Sequence, residues 1–347
     1  TSIQEQTLTF VPKMICVFLS LIICGVWYRK TITLPERYLD KRVVLHFGAC
    51  DYITKVYVDG QFAGRHKGGY SSFFIDITPF IKPEPITITV YAKDDTRDPL
   101  QSGGKQSYDY ASHDCFYTRT TGIWQTVWME AVSPVGLRNA YVKPDFDNSR
   151  FVVEPNFYAL EKGLKLRIKV LDGTKVVASA TETATVPMTV VLPVKNVKTW
   201  SPESPFLYDL EYEVLNAQNH VVDKVKSYAG MRKVHIEGNR VFLNNRPLYL
   251  RMVLDQGFYP KGVWTAPTDA DLKGDIERAM AVGFNSARLH QKVFEERFHY
   301  WADKLGYLTW GEAASWGMDI NGTAAARNFI TEWAEVVERD RNHPSII

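Results

Sequence analysis

Four side chains in the last third of the sequence stand out for the chemistry they could do together: Asp255, Arg288, His290 and Glu312. Each closes or follows a short apolar run, in VLD, SARLH and YLTWGE. A carboxylate accepts hydrogen bonds, a guanidinium donates them from a planar fork, and an imidazole can do either. Gathered on one face, such a set could form the floor of a binding site. Taken singly, each residue has an ordinary reading: an acid after a strand commonly caps a helix or sits in a solvated loop, Arg288 could simply pair with Glu312, and His290 could be a satisfied core histidine. Their recurrence at three successive strand ends is what favours a site.

Those strand ends need a scaffold. From residue 234 onward, PLYLRMVLD, FNSARLH and YLTWGE read as strands, and PSII as the opening of a fourth. Between them lie helical stretches, PTDADLKGDIERAMAVG, VFEERFHYWADKLG and AARNFITEWAEVVERDRN. The first has Thr268 as N-cap, Asp271 three residues on and Gly283 as a stop. Strands alternating with helices predict βαβ units on a parallel sheet with right-handed crossovers. In a βα barrel, the reacting groups sit at the C-terminal strand ends.

Upstream there is no helical period. Residues 27–133 give strand after strand, including KRVVLHF, ITKVYVDGQFAGRH, ITITVYA and QTVWMEAV, with Asp59-Gly60 suited to a tight hairpin. This pattern predicts a jelly-roll β-sandwich. Residues 134–233 continue with regularly spaced strands and Gly- or Asn-marked turns, as in an immunoglobulin-like sandwich without the Cys…Trp…Cys pattern. The expected fold class is multidomain, mainly β then α/β: a jelly roll (1–133), an immunoglobulin-like β-sandwich (134–233), and the start of a TIM (β/α)8 barrel (234–347), incomplete.

A net charge of +2 gives no reason to expect nucleic acid or a membrane surface as partner. The nine tryptophans could serve as platforms for flat ligand faces, but the filling of β cores is the commoner use of such side chains. Cys16, Cys24, Cys50 and Cys115 show no metal or disulfide spacing and read as buried small hydrophobes. The uncharged run at residues 14–26 is short for a bilayer span; as a targeting signal it is weak, lacking a cleavage site. Localisation is therefore open between cytoplasm and periplasm.

Several segments resemble glycoside hydrolase family 2, the β-galactosidase, β-glucuronidase and β-mannosidase group: TGIWQTVWME (121–130), YLRMVLDQGFYP (249–260), TAPTDADL, GFNSARLHQKV, RFHYWADKLGYLTWGE and RDRNHPSI. The resemblance runs over nearly the whole chain in the domain order given above, with the first domain galactose-binding-like. It implies a retaining glycosidase acting on a β-glycoside through two glutamates about 5–5.5 Å apart, one an acid of raised pKa.

In the family the acid lies in an Asn-Glu dipeptide after strand four and the nucleophile ends strand seven. This sequence has no Asn-Glu dipeptide. The expectation is accordingly a fragment truncated in strand four, with the acid/base and nucleophile beyond Ile347 and no catalytic residue within it. What carries over is a substrate-binding set: Asp255, Arg288, His290 and Glu312. No cofactor or metal is expected, a divalent cation beside Glu312 being the one exception left open. Carbohydrate is the expected partner, and a homo-oligomer is not excluded.

Two departures bear on the site: Met252 stands where the family usually has Gly, and His290 follows Arg288 by only two residues. The alternative function is a non-catalytic carbohydrate-binding or scaffold protein. The particular glycoside stays open, although the lack of an Arg-Asn-Lys-type carboxylate-binding motif argues against a glucuronide.

Overall fold

The structure, a computed structural model, describes residues 6–8 and 25–347 except residue 110. Most of the apolar run at 14–26, with Cys16 and Cys24, lies outside the described residues; its last two residues begin the strand Gly25–Ile32. The fold is mainly β, and among the described residues the α-helices are confined to the final third.

The first unit is two four-stranded antiparallel sheets packed face to face. Gln6–Leu8, Val127–Val132, Arg42–Phe47 and Phe73–Asp76 form one; Gly25–Ile32, Ile86–Lys93, Ile53–Val58 and Gln61–Lys67 form the other. Strict alternation sends Ile86, Ile88 and Val90 inward against Leu45, Phe47 and Met129. The hairpin at Asp59-Gly60 has both residues at positive φ (48° and 81°), the twist that a two-residue loop between right-twisted strands requires.

The second unit packs Leu137–Asp145, Arg150–Phe157 and Val190–Pro193 against Lys175–Thr183, Lys165–Asp172, Tyr208–Leu215 and Val221–Ala229. Its core is built on Phe151, Leu166, Ile168, Leu210 and Tyr212. Lys175–Thr183 escapes a reading of the sequence because it is an edge strand with no fully buried position, so it needs no apolar alternation.

A small antiparallel meander, Val234–Glu237, Arg240–Leu243 and Arg246–Leu248, then leads into an open parallel sheet of Met252–Asp255, Ser286–Leu289 and Leu308–Gly311. PLYLRMVLD is therefore two strands and not one. The break falls at Tyr249 and Arg251, where Asn285 takes the backbone: its Oδ1 accepts from Arg251 N (2.8 Å) and its Nδ2 donates to the Tyr249 carbonyl (2.9 Å).

Helices α1 (Asp269–Ala281), α2 (Glu296–Leu305) and α3 (Thr323–Asp340) connect and follow the strands. Thr268 caps α1, its hydroxyl accepting from Asp271 N at 3.2 Å, and Gly306 ends α2 at φ 78°. Ala287 and Leu289 pack on Ile276 of α1 and Phe298 and Ala302 of α2. PSII does not form a full strand; it adds a single parallel bridge, Thr309 to Ile346.

Both sandwiches grip the helical third. Tyr70 N donates to Glu332 Oε1 of α3 (2.7 Å) and Ser71 Oγ to Glu335 Oε2 (2.6 Å). From the second sandwich, Trp200 Nε1 donates to the Asp303 carbonyl (2.8 Å) and Tyr228 OH to Asp303 Oδ2 (2.8 Å). RDRNHPSI forms the clasp to that sandwich: Asn342 accepts from Val142 N and donates to the Ala140 carbonyl.

Candidate functional site

Period-two alternation decides which residues of the short parallel strands reach the open face. Leu254, Arg288 and Trp310 lie in register across the sheet and are all exposed, on the side opposite Ala287 and Leu289. Three residues past Arg288, Gln291 turns the chain at φ 55°, and the next strand delivers Glu312 just beyond Gly311.

The structure brings Arg288, His290 and Glu312 together. Glu312 Oε2 accepts from Arg288 Nε at 2.5 Å. Its Oε1 accepts from His290 Nδ1 (2.8 Å) and from both the backbone N and the Nε2 of Gln291 (3.2 Å each). Partial burial pushes this carboxyl upward, but the Arg288 guanidinium, the Gln291 N–H and the His290 imidazole outweigh that and hold it below the usual carboxylate range. Glu312 in turn raises Arg288 further. In the neutral ring such a charged acceptor selects one tautomer, with the proton on Nδ1 of His290 and Nε2 left as an acceptor. A carboxyl held ionised in this way is a poor proton donor, so the geometry makes Glu312 a brace and not a general acid.

Asp255 is placed elsewhere. Its side chain accepts from Gly257 N (2.9 Å), and only its carbonyl meets the group, accepting from His290 N at 2.7 Å. Burial raises its carboxyl, with the charge of Asp275 adding to the rise, against the Gly257 N–H and Lys292. In register, Asp255 pairs with Leu289, whose side chain packs on the helices.

Several contributors are not evident from sequence. Gln291 braces Glu312 and also accepts from Trp316 N (2.9 Å), and Trp316 meets the His290 ring edge-on at 5.6 Å. Lys292 is fully buried, its ammonium donating to the carbonyls of Gly257 (2.5 Å) and Trp264 (2.6 Å) amid the rings of Trp124, Phe258, Tyr259 and Phe294. Burial pulls it down to about 8. It pins residues 257–264 under the site, and Trp124 of the first sandwich stacks on Trp264 at 4.3 Å. The signal available beforehand was the polar run His290-Gln291-Lys292 directly after a strand.

A cavity of about 250 Å³ beside Glu312, bounded by Leu289, Phe294, Trp333 and Val336, is mostly apolar. Among the described residues no cluster of three or more His, Cys, Asp or Glu side chains is arranged to hold a metal ion. Cys50 is buried as expected, but Cys115 is exposed, because it sits at the tip of a turn closed by the His113–Phe116 bridge.

With this geometry in place, comparison with known proteins is informative. The family described as Glycosyl hydrolases family 2 matches residues 136–232. A second, Bacterial export proteins, family 3, matches residues 1–34, which include the apolar run. A beta-galactosidase of Thermoanaerobacter pseudethanolicus is 27% identical over 331 residues, covering 92% of this chain and 43% of that protein. A beta-glucuronidase of Paenibacillus borealis is 24% identical over 363 residues, covering 93% and 57%.

Among solved structures, a β-glucuronidase from Ruminococcus gnavus in complex with uronic deoxynojirimycin superposes with a TM-score of 0.81 at 22% identity, over 93% of this chain and 56% of that one. A beta-glycosidase from Bacteroides vulgatus gives 0.79 at 21% identity, over 94% and 42%. The chain thus spans roughly two fifths to three fifths of the proteins it matches. Family match, relatives and fold point the same way: residues 136–232 match the glycosyl hydrolases of family 2, and the chain is similar to beta-galactosidases and beta-glucuronidases over more than nine tenths of its length.

Proposed function

We propose that this chain carries the sugar-holding part of a glycoside hydrolase that cleaves β-glycosides with retention. In this reading residues 1–133 are a galactose-binding-like jelly roll, 134–233 an immunoglobulin-like sandwich, and 234–347 the opening of a (β/α)8 barrel. One observation carries it. Both oxygens of Glu312 are taken up inside the protein, whereas Arg288 Nη1 and Nη2 and His290 Nε2 have no hydrogen-bond partner among the described residues. Two fixed donors, one acceptor and the exposed indole of Trp310 beside them are what a sugar ring needs: hydroxyls to pair and an apolar face to cover. Asp255 acts from below, through the carbonyl that holds the His290 backbone.

The sequence contains no Asn-Glu dipeptide, and Glu312 is held ionised, so neither catalytic carboxylate is assigned within these residues. The chain is therefore expected to bind methyl β-glycosides without turning over nitrophenyl β-glycosides. Arg288→Ala should weaken binding about tenfold or more, as loss of a charged hydrogen-bonding partner does. Calorimetric titration with the β-galactoside and β-glucuronide checks this. Undiminished binding by Arg288→Ala would remove the site, and turnover of the chromogenic substrates would mean that the acid and nucleophile lie among acidic residues whose roles are otherwise structural.

A further inference from the structure

The rings next to His290 do not stop at Trp316. Residues 94–109 and 111–121 leave the first sandwich and cross to the C-terminal edge of the parallel sheet. There Gly103 N and Gly104 N donate to the Trp316 carbonyl (3.0 and 3.2 Å), Asp319 N donates to the Pro99 carbonyl (2.8 Å), and Asn328 Nδ2 donates to the Leu100 carbonyl (2.7 Å). Gly104 sits at φ 57°, and a Cβ there would lie 2.4 Å from the Gln291 carbonyl, so the loop rests on the residue that braces Glu312. Ser107 N donates to the Tyr117 carbonyl and Tyr117 N to the Lys105 carbonyl, each at 2.8 Å, which ties the crossing segment to itself.

This loop carries a row of aromatic side chains outward from the site. Phe116 lies 5.8 Å from Trp316, Tyr108 5.5 Å from Phe116, and His113 5.1 Å from Tyr108, all as ring centroids. The Lys105 ammonium lies over Trp316 at 4.8 Å. Tyr108 is 47% exposed and Trp316 37% exposed. Large rings fixed by backbone hydrogen bonds and left in water mark a surface that another molecule covers. The row is not purely apolar: His113 lies 3.3 Å from the carboxylates of both Asp109 and Asp114, which stand in solvent.

We propose that the Trp316–Phe116–Tyr108 row binds a second pyranose ring, the one joined to the sugar held by Arg288 and His290, and so sets the chain's preference for β-linked oligosaccharides over simple glycosides. The inference rests on the function proposed above. Its occupant follows from the mixture: ring faces cover the apolar side of a pyranose, while Tyr108, His113, Asp109 and Asp114 offer partners to its hydroxyls, which a plain aryl group would leave unused.

The test titrates the full chain with methyl β-D-galactopyranoside, lactose and phenyl β-D-galactopyranoside, and with their β-glucuronide counterparts. The disaccharide is expected to bind about tenfold tighter than the methyl glycoside. Tyr108→Ala and Trp316→Ala should each bring that ratio close to one, while Arg288→Ala weakens both ligands equally and leaves the ratio alone. Tyr108, half exposed in a loop, keeps the test sound if Trp316→Ala disturbs folding. A ratio unchanged in Tyr108→Ala overturns the second-ring site while methyl-glycoside binding leaves the primary site standing. A gain shown by the phenyl glycoside but not by the disaccharide overturns the choice of occupant. If none of the six ligands binds, the function proposal fails and this inference falls with it.

Discussion

The two seams that join the sandwiches to the helical third are both lined with buried acids, yet they are built in opposite ways. In the first seam, Asp51 is fully buried with Gln106 Nε2 as its hydrogen-bond donor (2.8 Å), and Glu332 accepts from Tyr70 N. Neither has a cation bonded to it among the described residues. Burial drives Glu332 up to about 6 and Asp51 well above its usual range, and nearby Asp94 also rises to about 6. In the second seam, Asp303 is equally buried but accepts from Tyr228 OH, His343 Nδ1 (2.6 Å) and Ser345 N (2.9 Å). Its neighbour Asp340, although also buried, is held low by Arg339, whose guanidinium reaches it at 2.5 and 2.8 Å. Burial alone therefore does not decide whether an acid keeps its charge; the donors aimed at it do.

The largest expected effect lies in the second seam. Asp303→Ala strands His343 and Tyr228 without their acceptor and should cost about 3–5 kcal/mol in urea unfolding, the range for breaking one partner of a buried pair. The wild-type His343 is raised above its ordinary value, mainly because Asp303 outweighs burial. Its contribution is thus fully present below about pH 6.5 and is lost as pH rises through the folded value; Asp303→Ala should abolish that loss. A variant as stable as the parent would make the two seams equivalent.

The first seam should respond to pH in a lower window. Glu332 has a folded pKa above its unfolded one, so its contribution is present below about pH 4.5 and is lost by about pH 6. Glu332→Gln, neutral at every pH, should remove about 2 kcal/mol of the stability difference between pH 4.5 and 7. Parallel stability curves for the two proteins would show that Glu332 is not the titrating group. The smallest effect sharpens the contrast: Tyr228→Phe deletes one of three donors to Asp303 and should cost about 1.5 kcal/mol, at most half of the Asp303→Ala loss.

Much of this was legible in the sequence wherever the determinant is local. Thr268, Gly283 and Asp59-Gly60 act within a few residues, and the helix and hairpin they predict are present. Arg288, His290 and Glu312 follow their strands closely enough for period two to place them. Asp255 shows the limit: one step of register decides which face a strand residue takes, and in a four-residue strand no pattern reveals that step. Lys292 would be read as a surface residue, and only the rings and carbonyls gathered from four segments make its burial tolerable. Gln291 gained its role through contacts 21 and 25 positions away, and the loop from the first sandwich meets Trp316 and Asn328 only through contacts roughly 200 positions apart, which no spacing rule reaches.

The bond from Tyr70 to Glu332 spans 262 positions of the chain. At a synthesis rate of about 5–20 residues per second, roughly 10–50 s pass between the two ends leaving the ribosome. Through that interval Tyr70 lies on a wall of the first sandwich that α3 has yet to cover, although the core of that sandwich draws only on residues already made. The first sandwich can therefore form while it waits, and burial pushes the Glu332 carboxyl toward its protonated form only when the last long helix docks.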